Sequence, residues 1–331
     1  MKNMVNIAVL SYPGAMKSAH YGLFEFFEVA NTLANEHPGS NWPFFRCSTR
    51  SALPDVPGMS PELGTEYKMT ADSGAEGADD NIFDIVVLPP RTAEIDWAMR
   101  AGNCRRWLKF QHQKGAVMAS ACAGAFLLAD AGLLDGRRVT THWGLAEEFR
   151  KRYPKAFLCE QELLLDEGDI ITAGGMMAWM DLALRLVEKF ASPFLSLLLG
   201  KYFLVDTGQR DQRCYQSFSP KLTHGDMEIL SLQHWLHKNW EEGVDLGKMT
   251  DEVHMSERTL QRRFTQATGF SPSSYVMKLR LQKAREYLET SRASIDEIVW
   301  KIGYEDQSSF RKLFRRETGL TPSEYRKRFS R

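Results

Sequence analysis

The last third of the chain repeats itself. Phe264, Thr268, Gly269, Pro272, Ser273 and Tyr275 recur at an offset of 50 as Phe314, Thr318, Gly319, Pro322, Ser323 and Tyr325. Upstream, Leu246, Met249 and Val253 recur as Ile295, Ile298 and Ile302 at an offset of 49, which puts one extra residue in the second copy's turn, around Gly303–Tyr304. Each copy reads as helix, tight turn, helix, then a glycine stop and a proline restart. Ser256 and Asp306 stand where an N-cap opens the second helix of each pair. Gly269 and Gly319 stand where a C′ glycine closes it. No run from Met227 onward has strand character. The region is all-α, with helix-turn-helix units at about 246–269 and 295–319.

Charge gives this region a partner. The whole chain balances 42 Lys and Arg against 42 Asp and Glu. From Val244 to the end, however, 18 basic residues face 12 acidic ones, leaving 24 basic against 30 acidic before it. Helical spacing turns Leu260 and Phe264 inward and Arg258, Gln261, Arg262 and Thr265 outward. In the second copy Phe310 and Phe314 pack while Gln307, Ser308, Arg311, Lys312 and Arg315 face out. Arginine reads guanine and glutamine reads adenine in the major groove, and the remaining cations fix register on phosphates. The pattern predicts binding to double-stranded DNA.

The first 190 or so residues alternate short apolar runs with amphipathic segments. Strands are predicted at Val5–Leu10, Phe44–Ser48, Ile82–Leu88, Ala116–Ser120 and Asp169–Thr172. Helices are predicted at Leu23–Glu36, Glu94–Gln113, Ala123–Ala131, Leu145–Tyr153 and Met176–Phe190. Unbroken runs such as IVVL suit strands buried on both faces, and the alternation predicts a mostly parallel, flavodoxin-like α/β sheet. The polar stretch 200–225 reads as a linker. The expected organisation is therefore an α/β domain over 1–199, that linker, and a DNA-binding domain over 226–331.

Ordinary composition, 43% hydrophobic and 25% charged, excludes a mostly disordered, collagenous or disulfide-framework chain. Five scattered cysteines without a CxxC pair signal neither a disulfide set nor a zinc site. No P-loop, GxGxxG or metal cluster appears, so no cofactor or metal is expected. The start, MKNMVNIAVLSYPG, reads as a strand and not a signal peptide. The apolar stretch Phe194–Val205 is short for a membrane helix and carries Lys201. A cytoplasmic protein without a membrane partner is expected.

The runs MSERTLQRRFTQATGFSPSSYV and GYEDQSSFRKLFRRETGLTPSEYRKRF resemble the AraC/XylS-type regulators over about Leu246 to Phe329. The resemblance implies two helix-turn-helix units joined by a long helix, about Ser273–Thr290, entering successive major grooves on one face of DNA. Base contacts would fall on Arg258, Gln261 and Arg262, then Gln307, Ser308, Arg311 and Lys312. In the first domain, AVMASACAGAFLLADAGLLDGRRVTTHW is similar to the ThiJ/PfpI-like branch of the class I glutamine amidotransferase-like superfamily. Its LLDGRxxTTHW stretch resembles more closely the amidase-like sensor domain of GlxA-type AraC regulators. A homodimer formed through the α/β domain, and RNA polymerase as partner if the output is activation, are what the resemblance implies.

The same segment carries the candidate pocket. A strand ending at Ala119–Ser120 turns through Cys122 into a helix starting near Ala123–Gly124, the shape of a nucleophile elbow whose helix N-terminus lowers a thiol pKa. Enzymes of the resembled family place a His directly after the nucleophile, but Ala123 stands here. Ala19 aligns with their acidic residue. Their Gly-rich turn with its inward N–H groups is replaced by Pro89-Pro90-Arg91. Catalysis is therefore not expected, and a Cys122-dependent hydrolase or hydratase activity is the alternative. The sensor reading keeps a pocket at the carboxyl ends of the strands, formed by Cys122, Ala123, Gly124, Arg91, His142 and Trp143, for a small and anionic effector. Cys122 itself reads as an inert, a ligand-contacting or a redox-sensing thiol. Tyr21, Phe24, Phe26 and Phe27 read as core or dimer contact.

Overall fold

The strands of the α/β region bury both faces, and the two sets of side chains part cleanly. In the computed structural model Val5, Ile7 and Val9 share one core with Ile85, Val87 and Ile171. Ala8, Leu10, Val86, Leu88 and Met118 point into another. The structure describes residues 4–37, 39–51, 67–68, 82–92, 102–206, 211–241 and 244–330. The chain forms two compact units that meet in sequence between Gln212 and Arg213.

The first unit runs β1 (Met4–Ser11), α1 (Lys17–Glu36), β2 (Phe44–Ser51), β3 (Tyr67–Lys68), β4 (Ile85–Leu88), α2 (Gly102–Gln113) and β5 (Val117–Ala121). It continues with α3 (Gly124–Asp130), β6 (Arg138–Val139), α4 (Ala146–Arg152), β7 (Phe157–Leu158), β8 (Leu164–Asp166), β9 (Ile170–Ala173), α5 (Trp179–Phe190) and α6 (Pro193–Tyr202). The main sheet has the order β3-β2-β1-β4-β5-β9-β8, and β6 pairs with β7 apart from it. Every pairing in the main sheet is parallel except β8 with β9, where Leu165 faces Thr172. Helices α1, α5 and α6 cover one face, and α2, α3 and α4 the other. The α/β sheet is thus the mostly parallel, flavodoxin-like one expected. The short strand β3, the separate β6–β7 pair, the antiparallel edge strand β8 and the helix α6 went unforeseen. The predicted helix over 94–113 is seen from Gly102, its earlier part lying outside the described residues.

One ion cluster staples the amino ends of this sheet. Asp169, just ahead of β9, accepts from both terminal nitrogens of Arg137 at 2.5 and 2.8 Å. It also meets His112 Nε2 of α2 at 2.7 Å. Burial pushes the carboxyl up, but Arg137 and His112 outweigh it and hold Asp169 down at about 2.

The second unit is entirely helical where described: α7 (Met227–Asn239), α8 (Leu246–Val253), α9 (Glu257–Thr268), α10 (Pro272–Thr290), α11 (Ile295–Lys301), α12 (Gln307–Thr318) and α13 (Pro322–Phe329). The sequence repeat is a repeat of contacts. Thr268 Oγ1 donates to Phe264 O at 2.7 Å and receives Phe270 N–H at 3.2 Å; Thr318 does the same with Phe314 and Leu320 at the same distances. The Phe264 and Tyr275 rings meet edge to face at 5.2 Å, and Phe314 and Tyr325 at 5.3 Å. The left-handed residue ending each first helix is His254 (φ 51°) and then Gly303 (φ 76°), whereas the following N-caps are Ser256 and Asp306. The extra residue of the second copy therefore falls between Gly303 and Asp306, in the turn around Gly303–Tyr304 where the sequence placed it.

A carboxyl lowered on folding adds stability above its unfolded value near 4 and loses it as pH falls toward the folded value. Asp169→Asn should therefore melt below the native chain at pH 7, with the gap narrowing from about pH 4 downward. Calorimetric melts across a pH series check this, and a gap independent of pH would refute the assignment.

Candidate functional site

The helical unit presents two equivalent faces. Ser256 Oγ accepts Thr259 N–H at 3.4 Å to open α9, and the Asp306 carboxylate accepts Ser308 and Ser309 N–H at 2.9 and 3.0 Å to open α12. Gly269 (φ 79°) and Gly319 (φ 75°) take the left-handed turn that ends each helix, a conformation costly for other residues. Leu260, Phe264, Phe310 and Phe314 are fully buried. On the opposite sides Arg258, Gln261, Arg262, Ser308, Arg311 and Lys312 are exposed and Gln307 is half-buried. Arg311 is loosely paired with Asp296 at 3.6 Å, both more than half exposed, so the pair restrains it little.

Arg263, beside Arg262, was not singled out by sequence and does a different task. Its guanidinium donates to both Asp226 oxygens at 2.9 and 2.6 Å and to Glu228 at 2.7 Å. It pins α9 to the N-terminus of α7, and its hydrogen bonds hold the Asp226 carboxyl below the usual range. The RR pair alone does not reveal which arginine turns inward.

In the α/β unit the chain turns sharply where β5 meets α3. Cys122 is 3% exposed and sits at φ 53°, the strained position of an elbow. Its N–H donates to Ala173 O at 2.8 Å, and its carbonyl accepts from Thr141 Oγ1 at 2.7 Å. Gly124 is required, since a Cβ there would lie 2.6 Å from Leu88 O. Cys122, Ala123, Gly124 and Arg91 are gathered at this turn. His142 and Trp143 join through Thr141, the His142 ring accepting Gly144 N–H at 3.1 Å and packing on Trp143 at 5.2 Å. Burial lowers the His142 pKa, which keeps the ring neutral.

Two expectations are corrected. Burial pushes the Cys122 thiol up to about 11, outweighing the lowering by the Ala123 and Arg91 backbone N–H groups and by the Arg91 charge. The helix start thus does not make a reactive thiolate. The Pro89-Pro90-Arg91 turn also keeps one inward N–H, that of Arg91 itself, facing the sulfur. Sequence reasoning missed Tyr12, whose buried hydroxyl donates to Pro89 O and whose pKa burial and the nearby Cys122 raise. It also missed a groove of about 320 Å³ at the amino ends of β1 and β2, lined by Met4, Phe24, Phe27, Glu28 and Phe44. Among the described residues no group of three or more His, Cys, Asp or Glu is placed to hold a metal, and no helix is long and apolar enough to cross a membrane.

Residues 249–328 match the helix-turn-helix domain family, and residues 55–189 match the DJ-1/PfpI family. The HTH-type transcriptional regulator ArgR of Pseudomonas aeruginosa is 32% identical over 227 residues, 66% of this chain and 67% of that protein. The chain belongs to the AraC family. Within it, the regulator CdhR of Pseudomonas aeruginosa is 27% identical over 223 residues, 67% of this chain and 66% of its own length. The regulator GlxA of Rhizobium meliloti is 26% identical over 234 residues, 70% and 72% of the two chains. The chain spans about two thirds of the length of the curated relatives it matches. This AraC-family chain thus carries a DJ-1/PfpI domain ahead of its helix-turn-helix pair, and the relatives named above are transcriptional regulators.

A thiol at about 11 is about one part in ten thousand ionised at pH 7. In the folded chain Cys122 should be alkylated by iodoacetamide far more slowly than a free cysteine, gaining about tenfold in rate per pH unit above 7. Peptide mass spectrometry reads this, and fast labelling at pH 7 would return Cys122 to the reactive class.

Proposed function

We propose that the chain is a sequence-specific DNA-binding transcription regulator whose α/β unit responds to a small metabolite. The observation that carries the first part is the pair of capped helices α9 and α12 presenting matched donor faces. Arg258, Gln261, Arg262, Gln307, Ser308, Arg311 and Lys312 are the residues assigned to DNA, with α10 as the long helix joining the two units. Arg262 and Arg311 suit bidentate guanine contacts, and Gln261 suits adenine.

The metabolite reading is supported by what remains at the elbow. The turn keeps its strained backbone, an inward N–H on either side of the sulfur, and the Arg91 guanidinium. Its thiol, however, stays protonated, and Ala123 and Ala19 stand where an enzyme needs a His and an acid. Such a place suits an acceptor group, the carboxylate of an anionic effector, bound without chemistry. Cys122, Ala123, Gly124, Arg91, His142 and Trp143 are assigned to it. A cytoplasmic homodimer that meets RNA polymerase when its output is activation accompanies this reading. A ligand shifts DNA affinity only by binding two states of the protein unequally.

Selection of bound duplexes from a random pool, at fixed salt and with or without a metabolite extract, tests both parts. A recovered motif whose enrichment changes with extract is expected. Arg262→Ala and Arg311→Ala should each weaken binding to that motif by about 1–3 kcal/mol and relax base choice at single positions. A loss uniform across all sequences would reassign both arginines to phosphate.

A further inference from the structure

The two copies of the repeat part company one residue before their buried phenylalanine. Where the first has Arg263, the second has Leu313. Both are half-buried on the flank of a helix whose outer side carries the residues assigned to DNA. Every guanidinium nitrogen of Arg263 is used. Nε and one terminal nitrogen donate to the two Asp226 oxygens at 2.9 and 2.6 Å, and the same terminal nitrogen donates to Glu228 at 2.7 Å. The other terminal nitrogen lies 3.8 Å from the Met255 sulfur, in the turn before α9. A leucine side chain has no hydrogen bond to give in that place.

The clamp closes a circuit within the helical unit. The Asp226 carboxylate also accepts Ile229 N–H at 3.2 Å, the cap of α7. Its backbone N–H donates to His224 Nδ1 at 3.1 Å, so the ring carries its proton on Nε2 and donates it to Gln233 Oε1 at 2.7 Å. The Gln233 amide nitrogen donates to the Tyr275 hydroxyl at 3.1 Å. Gln233 and Tyr275 are fully buried, and the Tyr275 ring meets Phe264, the residue after Arg263, edge to face. Helix α9 is thus gripped at two adjacent residues by one connected set of partners. Around α12 the described contacts differ: Tyr325 OH donates to Glu289 at 2.7 Å, and a leucine takes the place of the arginine.

Apolar packing is not directional, so the buried Leu260 and Phe264 keep α9 against the core without fixing its roll about its own axis. A forked guanidinium–carboxylate pair is directional and allows one orientation. Base readout needs that fixity, since a binding group has to be held within about 0.5 Å and 10–20° of its working geometry. We propose that Arg263 is a positioning residue for base selection by α9. Held by Asp226 and Glu228, it fixes the roll at which Arg258, Gln261 and Arg262 meet the groove. Helix α12, with Leu313, reads its half of the site without such a clamp. This role rests on the DNA reading above.

Two variants of the full chain separate the clamp from the cap. Arg263→Leu installs the side chain that the second copy uses, and Asp226→Asn removes the charge while keeping a residue type that caps helices well. The first readout is hydrogen exchange without DNA. The amides of Gln261, Arg262 and Thr265 in α9 should exchange about tenfold faster in both variants, and those of Arg311, Lys312 and Arg315 in α12 at the native rate. The second readout is the selection from random duplexes, in which the positions relaxed by Arg262→Ala and by Arg311→Ala mark the halves read by α9 and α12. Both variants should cut base preference in the α9 half about tenfold and leave the α12 half unchanged. A clamp with only a structural role would weaken both halves alike. Equal exchange at α9 and α12, or an even loss across the motif, overturns the positioning role and leaves the DNA reading intact. A native chain that selects no motif sinks the DNA reading and the role that rests on it.

Discussion

Parallel pairing is the constraint on which the α/β unit depends. Because β1, β4, β5 and β9 run the same way, the chain leaves all four along one edge. There the exits are laced by backbone: Met16 N–H donates to Pro90 O at 2.7 Å, Thr92 N–H to Gly14 O at 2.9 Å, and Cys122 N–H to Ala173 O at 2.8 Å. The shape of the elbow is therefore held by peptide groups and by Gly124, and not by the side chains that would do chemistry. A turn held by backbone keeps its shape whatever side chains stand at Ala123 and Ala19. That is why this chain can keep a strained elbow with a protonated thiol at its turn. The strain at Cys122, of the order of 1–3 kcal/mol for a left-handed non-glycine residue, is carried by those same peptide bonds.

The helical unit solves a different problem twice. Each copy is too short to bury its aromatic pair alone, so Phe264 leans on Tyr275 and Phe314 on Tyr325, and each tyrosine hydroxyl finds a polar partner on another helix. Tyr275 OH is met by Gln233 and His237 of α7, and Tyr325 OH donates to Glu289 of α10 at 2.7 Å. The partners differ while the aromatic geometry does not. What the repeat conserves is thus the presentation of α9 and α12, while their supports are free to diverge.

These differences decide what sequence shows. Period, caps and glycine stops are local, so the two recognition helices, their outward residues and the strand–helix alternation were legible from the residues alone. Arg262 and Arg263 are neighbours in the same run, and only the position of Asp226, 37 residues upstream, turns one of them inward. The state of the Cys122 thiol stayed open in the sequence because burial is a property of the whole fold, whereas the helix start that lowers its pKa is written nearby. Gln212 was invisible for the same reason. It lies in a stretch whose polar composition reads as linker, and its polarity serves buried partners from distant segments, not solvent.

The balance of charge follows from this division. A neutral chain with a pI near 7.1 would not be expected to seek DNA if net charge acted as a whole. Screening confines each charge to about 8 Å in physiological salt, less than the radius of gyration of a 100-residue domain, about 13 Å. The excess of basic residues after Val244 therefore acts locally, within the unit that carries α9 and α12. The acidic excess elsewhere is screened from that face in the same way. With sequence-independent attraction so limited, the proposed discrimination between DNA sequences falls to the few exposed donors on two helices.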